Sequence, residues 1–156
     1  MGNPITYTAA KAVGRTDRLG TLLCFSVYSA MLGFNRAYRK ALKTLDITYP
    51  QYLVLMLLRE RDNVSMSDIS HRLSLGSSTL SPLLRRMEEQ GILLRKRYAF
   101  DERQVIISLT EAGAALASMA STVPADVGRA TGLTSEENGA LRALLAKLIG
   151  ALASNG

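Results

Sequence analysis

Apolar positions in the first third of the chain repeat at helical intervals. Cys24, Tyr28, Met31, Asn35, Tyr38, Leu42 and Leu45 are spaced alternately by four and three residues, which places them on one face of a helix. The segment opens on a cap at Thr16-Asp17 and holds no proline as far as Leu45, so the pattern predicts one long helix with a face to bury. Ile47-Thr48-Tyr49-Pro50 ends it, because proline disfavours helical geometry in the residue before it and suits the first turn of the next helix. A second helix is expected over Gln51 to Arg61. Ser65 followed by Asp68 resembles a capping box and opens a short third helix, Met66 to about Leu73, with Ile69 and Leu73 inward. After a turn at Ser74-Leu75-Gly76, a fourth helix runs from Ser78 or Thr79 to Gln90, with Leu80, Leu83, Leu84 and Met87 at helical spacing and Pro82 near its first turn.

Gly91 stops that helix. Ile92 to Tyr98 and Val105 to Leu109 then read as two strands of a hairpin around a polar tip, Asp101-Glu102-Arg103-Gln104. Thr110-Glu111 starts an alanine-rich segment broken at Pro124, and Thr134 with Glu137 caps a last helix to about Ala153. Residues 1–16 lack a sustained period and read as a flexible arm, leaving 17–156 as a single domain, mainly α with a small β-hairpin.

Composition narrows the chemistry. The 156 residues are 47% apolar and carry a formal charge of +6, a balance that favours polyanions. No apolar run is long enough for a membrane span and no secretory signal stands at the start, so no membrane partner and a cytoplasmic location are expected. One cysteine and one histidine argue against a zinc site and a Cys–His catalytic pair, and no cofactor is expected. Any redox chemistry at Cys24 must involve another molecule.

Two short helices, a tight turn and a following hairpin have the order of a winged helix-turn-helix. Arg72, Arg85, Arg86, Arg95, Lys96, Arg97 and Arg103 bring seven of the nineteen basic residues into that window, against four acids. Ser77, Ser78, Thr79 and Ser81 supply short hydroxyls at the start of the fourth helix, where free backbone N–H groups suit phosphate or base-edge contact. Singly, each is also a cap or a solvated charge. Together, and followed by a basic hairpin, they read as a DNA-binding surface that also takes in Pro82.

The string from Asp101 to Thr110, DERQVIISLT, followed by Glu111 and Gly113, resembles the wing signature of the MarR family, and Ser78 to Glu88, STLSPLLRRME, resembles its recognition helix. The resemblance covers about residues 19–152. It implies a homodimer whose first and last helices (17–46 and 111–154) intertwine, and a DNA-binding module over about 47–110 that meets a pseudo-palindromic operator. It further implies that Arg103 enters the minor groove while Asp101 supports the wing. Leu23-Cys24-Phe25-Ser26-Val27-Tyr28, with Tyr38 and Ile47 to Tyr52 downstream, is similar to the branch of this family that senses organic hydroperoxides through one cysteine. By that likeness Cys24 is the peroxidatic thiol, and Tyr38 and Tyr49 are its hydrogen-bonding partners. Tyr28 is carried as a further pocket residue, and Tyr52 as structural or a pocket wall. With no second cysteine, the sulfenic acid would join a low-molecular-weight thiol or over-oxidise.

One constraint is geometric. Fourteen residues on one helix span roughly 21 Å, so Cys24 and Tyr38 cannot touch within a chain. A sensor built from both requires two chains crossing antiparallel. Without that pairing, a lone cysteine on an apolar stripe is a small core residue. An enzyme such as a thiol peroxidase would need a resolving group and a recycling partner, so the expectation is a regulator. A repressor released by a small aromatic or other non-oxidant ligand is the alternative.

Overall fold

The computed structural model describes the backbone of residues 18–98 and 101–154, with the side chains of Tyr98 and Asp101 to Arg103 set aside. Its elements are α1 (Leu23–Ala41), α2 (Tyr49–Glu60), β1 (Val64–Ser65), α3 (Met66–Leu73), α4 (Ser77–Glu89), β2 (Leu93–Tyr98), β3 (Asp101–Leu109), α5 (Glu111–Ala120), α6 (Val123–Thr131) and α7 (Ser135–Ser154), with a 3-10 turn at Lys43–Leu45. The arm expected over residues 1–16 lies outside the described residues.

The core sits under the helix-turn-helix. Leu55 and Leu58 of α2, Ile69 of α3, Leu80, Leu84 and Met87 of α4, Leu93 of β2 and Ile107 of β3 are all fully buried. The sheet is antiparallel in the order β1-β3-β2. Ala117 and Ala120 of α5 join the core, and α5 is held on the sheet by Thr110. The Thr110 N–H donates to the Ile92 carbonyl at 3.1 Å, and its hydroxyl reaches the Gly91 carbonyl at 2.6 Å.

Several expectations are corrected. The first helix begins at Leu23 rather than Asp17 and ends at Ala41 rather than Leu45. Before it, the Thr21 hydroxyl bonds the Arg18 carbonyl at 2.9 Å, a local turn that competes with helix. After it, the chain tightens into the 3-10 turn and Asp46 takes a left-handed φ of 52°. Pro82 lies in the second turn of α4, not the first, because Gly76 is the N-cap. It therefore has no amide hydrogen for the Ser78 carbonyl, and solvent can serve that exposed position instead. The hairpin tip is displaced as well: β3 starts at Asp101, so the stretch expected as a tip runs as strand. Between the pairs Arg97–Val105 and Tyr98–Asp101 the register shifts, and β3 carries the extra residues. A third strand, β1, pairs Val64 with Ile107 and Ser65 with Ile106. Pro124 opens α6 rather than merely breaking a helix, standing where a missing amide matters least.

The stripe on α1 is only half covered. Leu42 is buried and Tyr38 and Leu45 are half-buried, whereas Cys24, Tyr28 and Met31 face solvent. No residue of α7 is buried either, and Leu144, Ile149 and Leu152 are each about two-thirds exposed. Uncovered apolar surface of this extent marks an interaction face.

Candidate functional site

The helix-turn-helix is built by short side chains. The Ser65 hydroxyl caps α3, accepting the Asp68 N–H at 3.1 Å and donating to the Asp68 carboxylate at 2.7 Å. At the other end Ser74 adopts a left-handed φ of 52°, and the Ser70 hydroxyl donates to the Leu75 carbonyl at 2.6 Å. These contacts fix the angle at which α4 leaves the turn. With Leu80, Leu84 and Met87 turned inward, α4 presents Ser77, Ser78, Thr79, Pro82, Arg85 and Arg86 to solvent, and Ser81 is half-buried at the edge of that face. No side chain caps α4 at Gly76, which leaves its first amides for water or an anion. Arg85 pairs with Glu89 at 3.0 Å, both exposed. A surface pair of this kind is worth a few tenths of a kcal/mol and yields readily to a phosphate.

The basic residues of the hairpin divide into two groups. Lys96 and Arg97 are exposed. Arg95 is turned toward α4, with its guanidinium 3.7 Å from the Glu88 carboxylate and its backbone N–H bonded to the same group at 3.2 Å. It braces the wing instead of extending the charged face. Asp101 and Arg103 lie on β3 in their backbone, and their side chains fall outside the described residues.

The second cluster is aromatic. Tyr38 of α1 packs its ring 4.4 Å from that of Tyr49 and 5.4 Å from that of Tyr52, and Tyr49 and Tyr52 stack at 6.1 Å. Burial raises the Tyr38 and Tyr49 pKa values and pushes Tyr52 up to about 12. The phenols keep their protons and stay hydrogen-bond donors across the neutral range. Cys24 and Tyr28 are exposed near the far end of the same helix. The structure thus unites Tyr38 with Tyr49 and, over the length of α1, separates both from the thiol of their own chain.

Tyr52, expected as structural or a pocket wall, completes the ring stack. The sequence did not single out Gln51, which is buried, with its side-chain oxygen accepting from the Thr48 N–H at 2.8 Å. A Thr-x-x-Gln pattern at a helix start is a readable capping signal. The tyrosines also give a pH prediction. An unfolded phenol titrates near 10, so the folded chain holds a proton on Tyr52 that the unfolded chain releases between pH 10 and about 12. Stability present below pH 10 is lost as pH rises through the folded value. The parent should lose about 2 kcal/mol more than Tyr52→Phe across that range, read by urea denaturation at both ends.

A helix-turn-helix followed by a basic antiparallel wing defines a winged-helix protein. Residues 36–118 match the family profile of the transcriptional regulator SarA/Rot. The chain is 46% identical to the HTH-type transcriptional regulator TtmR of Methylorubrum extorquens (strain PA1), covering 86% of this chain and 70% of that one. It is 41% identical to the organic hydroperoxide resistance transcriptional regulator of Bacillus subtilis (strain 168), over 84% and 87% of the two chains. Among solved structures, reduced AbfR bound to DNA superposes with a TM-score of 0.75 at 34% identity, covering 88% of this chain and 94% of that one; AbfR is a protein of Staphylococcus epidermidis. The chain belongs to the MarR/SarA/Rot-type winged-helix family of transcriptional regulators. These relatives are regulators and not enzymes. None of the described helices is long and apolar enough to cross a membrane.

Proposed function

We propose that this protein is a homodimeric, cytoplasmic repressor that binds a pseudo-palindromic DNA operator and leaves it when an organic hydroperoxide oxidises Cys24. The observation that carries the reading is the division of α1: an exposed thiol stands at one end of an uncovered apolar face and a trio of protonated phenols at the other. Residues 17–46 and 111–154 form the dimerisation helices in this reading, and 47–110 the DNA-binding module. An antiparallel crossing of two α1 helices sets Cys24 of each subunit against Tyr38 and Tyr49 of the other, with Tyr28 one turn away on the same face. The likeness to the Bacillus organic hydroperoxide resistance regulator supports the choice of oxidant, and the likeness to AbfR, described in its reduced form bound to DNA, supports DNA binding by the reduced protein.

The chemistry balances simply. The Cys24 thiolate attacks the terminal oxygen of the hydroperoxide, the O–O bond breaks, and the products are a sulfenic acid and an alkoxide that takes a proton from water. Phenol O–H donors favour the thiolate over the thiol. A low-molecular-weight thiol then condenses with the sulfenic acid to a mixed disulfide and water, or a second hydroperoxide carries the sulfur to sulfinic acid.

DNA contact is assigned to Ser77, Ser78, Thr79, Ser81, Pro82, Arg85 and Arg86 in the major groove, and to Lys96, Arg97, Asp101 and Arg103 at the wing. Arg103→Ala is expected to weaken operator binding by about 1–3 kcal/mol while the dimer stays folded; equal affinity at equal salt would remove the wing from the interface. Release by a non-oxidant ligand is the second reading. In its favour stands a cleft of about 330 Å³ between α1 and α6, lined by Ala37, Lys40, Ala41, Asp126, Val127 and Ala130. A gel-shift titration on a duplex selected from random DNA separates the two. Release by cumene hydroperoxide with a small thiol supports the redox reading, and release by an aromatic acid without oxidant supports the other.

A further inference from the structure

We infer that Gln51 and Gln90 form a strut through which the tyrosine cluster sets the position of the recognition helix and the wing. Among the described residues, Gln51 is the one buried polar side chain, 3% exposed. Both ends of its amide are used. The oxygen accepts from the Thr48 N–H at 2.8 Å and from the Thr48 hydroxyl at 3.0 Å, and the NH₂ donates to the Gln90 side-chain oxygen at 2.9 Å. A buried amide left unmet would be costly, so the two glutamines move together or separate only against a penalty.

What the strut joins gives it a role. On its near side Gln51 stands in the first turn of α2 between Tyr49 and Tyr52, the two rings that pack on Tyr38 of α1. On its far side Gln90 is the C-cap of α4, with its N–H bonded to the Arg86 carbonyl at 3.0 Å. Two residues back, Glu88 holds the Arg95 N–H at 3.2 Å at the base of the wing. An unbroken line of contacts therefore leads from α1, through the start of α2, to the end of the recognition helix and on to β2. A shift of the phenols is passed to both DNA-reading elements at once. Gln51 and Gln90 are positioning residues, not members of the sensing or binding surface.

The inference rests on the proposed reading, in which the α1 end is the sensor, but its test needs neither DNA nor oxidant, so the two can fail separately. Amide hydrogen exchange is measured on the full-length protein in a cycle of Tyr49→Ala and Gln90→Leu, with Gln90→Glu as the conservative variant that keeps an acceptor for Gln51. Tyr49→Ala is expected to speed exchange at Met87 to Ile92 about five-fold in the parent and in the Gln90→Glu background, and to add nothing in Gln90→Leu. If Tyr49→Ala does not fold, Tyr38→Ala loosens the same cluster from α1. No acceleration at Met87 to Ile92 in the parent, or the same factor in the Gln90→Leu background, would overturn the strut.

Discussion

Gly113→Ala is expected to destabilise the fold by at least about 3 kcal/mol, the range reserved for substitutions with a definite steric cause. A methyl group at this position would lie 1.9 Å from the Ile92 carbonyl oxygen and 3.0 Å from its carbon, with a Leu109 methyl at 3.3 Å. The obstacle is backbone, so no rotamer change can relieve it. Nor can Ile92 withdraw freely, because its carbonyl accepts from the Thr110 N–H at 3.1 Å, while the Gly113 N–H donates to the Thr110 hydroxyl at 2.9 Å. Moving α5 off the sheet would disturb its packing with α2 as well. Gly128→Ala in α6 serves as the control, since a methyl there meets nothing within 4 Å and helix propensity favours alanine by up to about 1 kcal/mol. Urea denaturation of the two variants should move the midpoint in opposite directions. Equal stability of Gly113→Ala and the parent would mean that α5 does not approach Ile92 so closely.

The role of Gly113 shows where sequence reading reaches its limit. The residue stood in the wing signature, yet only the fold reveals that a backbone oxygen occupies the space of its missing side chain. Helical spacing located α2, α3 and α4, since their apolar faces meet a core from one side. The cap at Ser65 and the reciprocal pair Thr134–Glu137, bonded at 2.8 and 3.2 Å, were legible because caps are local. Non-local features were not. β1 is two residues long and exists through its pairing with β3, and Gln51 meets Gln90 across 39 residues. Arg95 reads in the sequence as one more basic residue of the wing, and only the fold brings it against Glu88. On α1 the pattern marked a buried face correctly for Leu42 but could not distinguish a face covered by the same chain from one left bare at Cys24, Tyr28 and Met31.

Cys24→Ser is expected to leave DNA binding intact and to abolish release by hydroperoxide. Cys24 is the only cysteine and therefore the only side chain that can form a sulfenic acid. The hydroxyl of serine nearly preserves its size, and the residue is exposed in the first turn of α1, where nothing of the chain's own core depends on it. Stability and operator affinity should stay within about 0.5 kcal/mol of the parent, while sensitivity to low doses of cumene hydroperoxide disappears. Tyr38→Phe and Tyr49→Phe should each slow oxidation without stopping it, because the nucleophile remains and one donor to its thiolate is lost. The six methionines are the competing targets, and Met31 and Met119 are both exposed. Thioether oxidation, however, does not require a thiolate, so it should proceed alike in the parent and in Cys24→Ser. Mass spectrometry alongside the gel shift resolves which sulfur has taken up oxygen when DNA is released. Release of Cys24→Ser at the parent's hydroperoxide dose would sink the thiol reading and leave the cleft between α1 and α6 as the place to look for the signal.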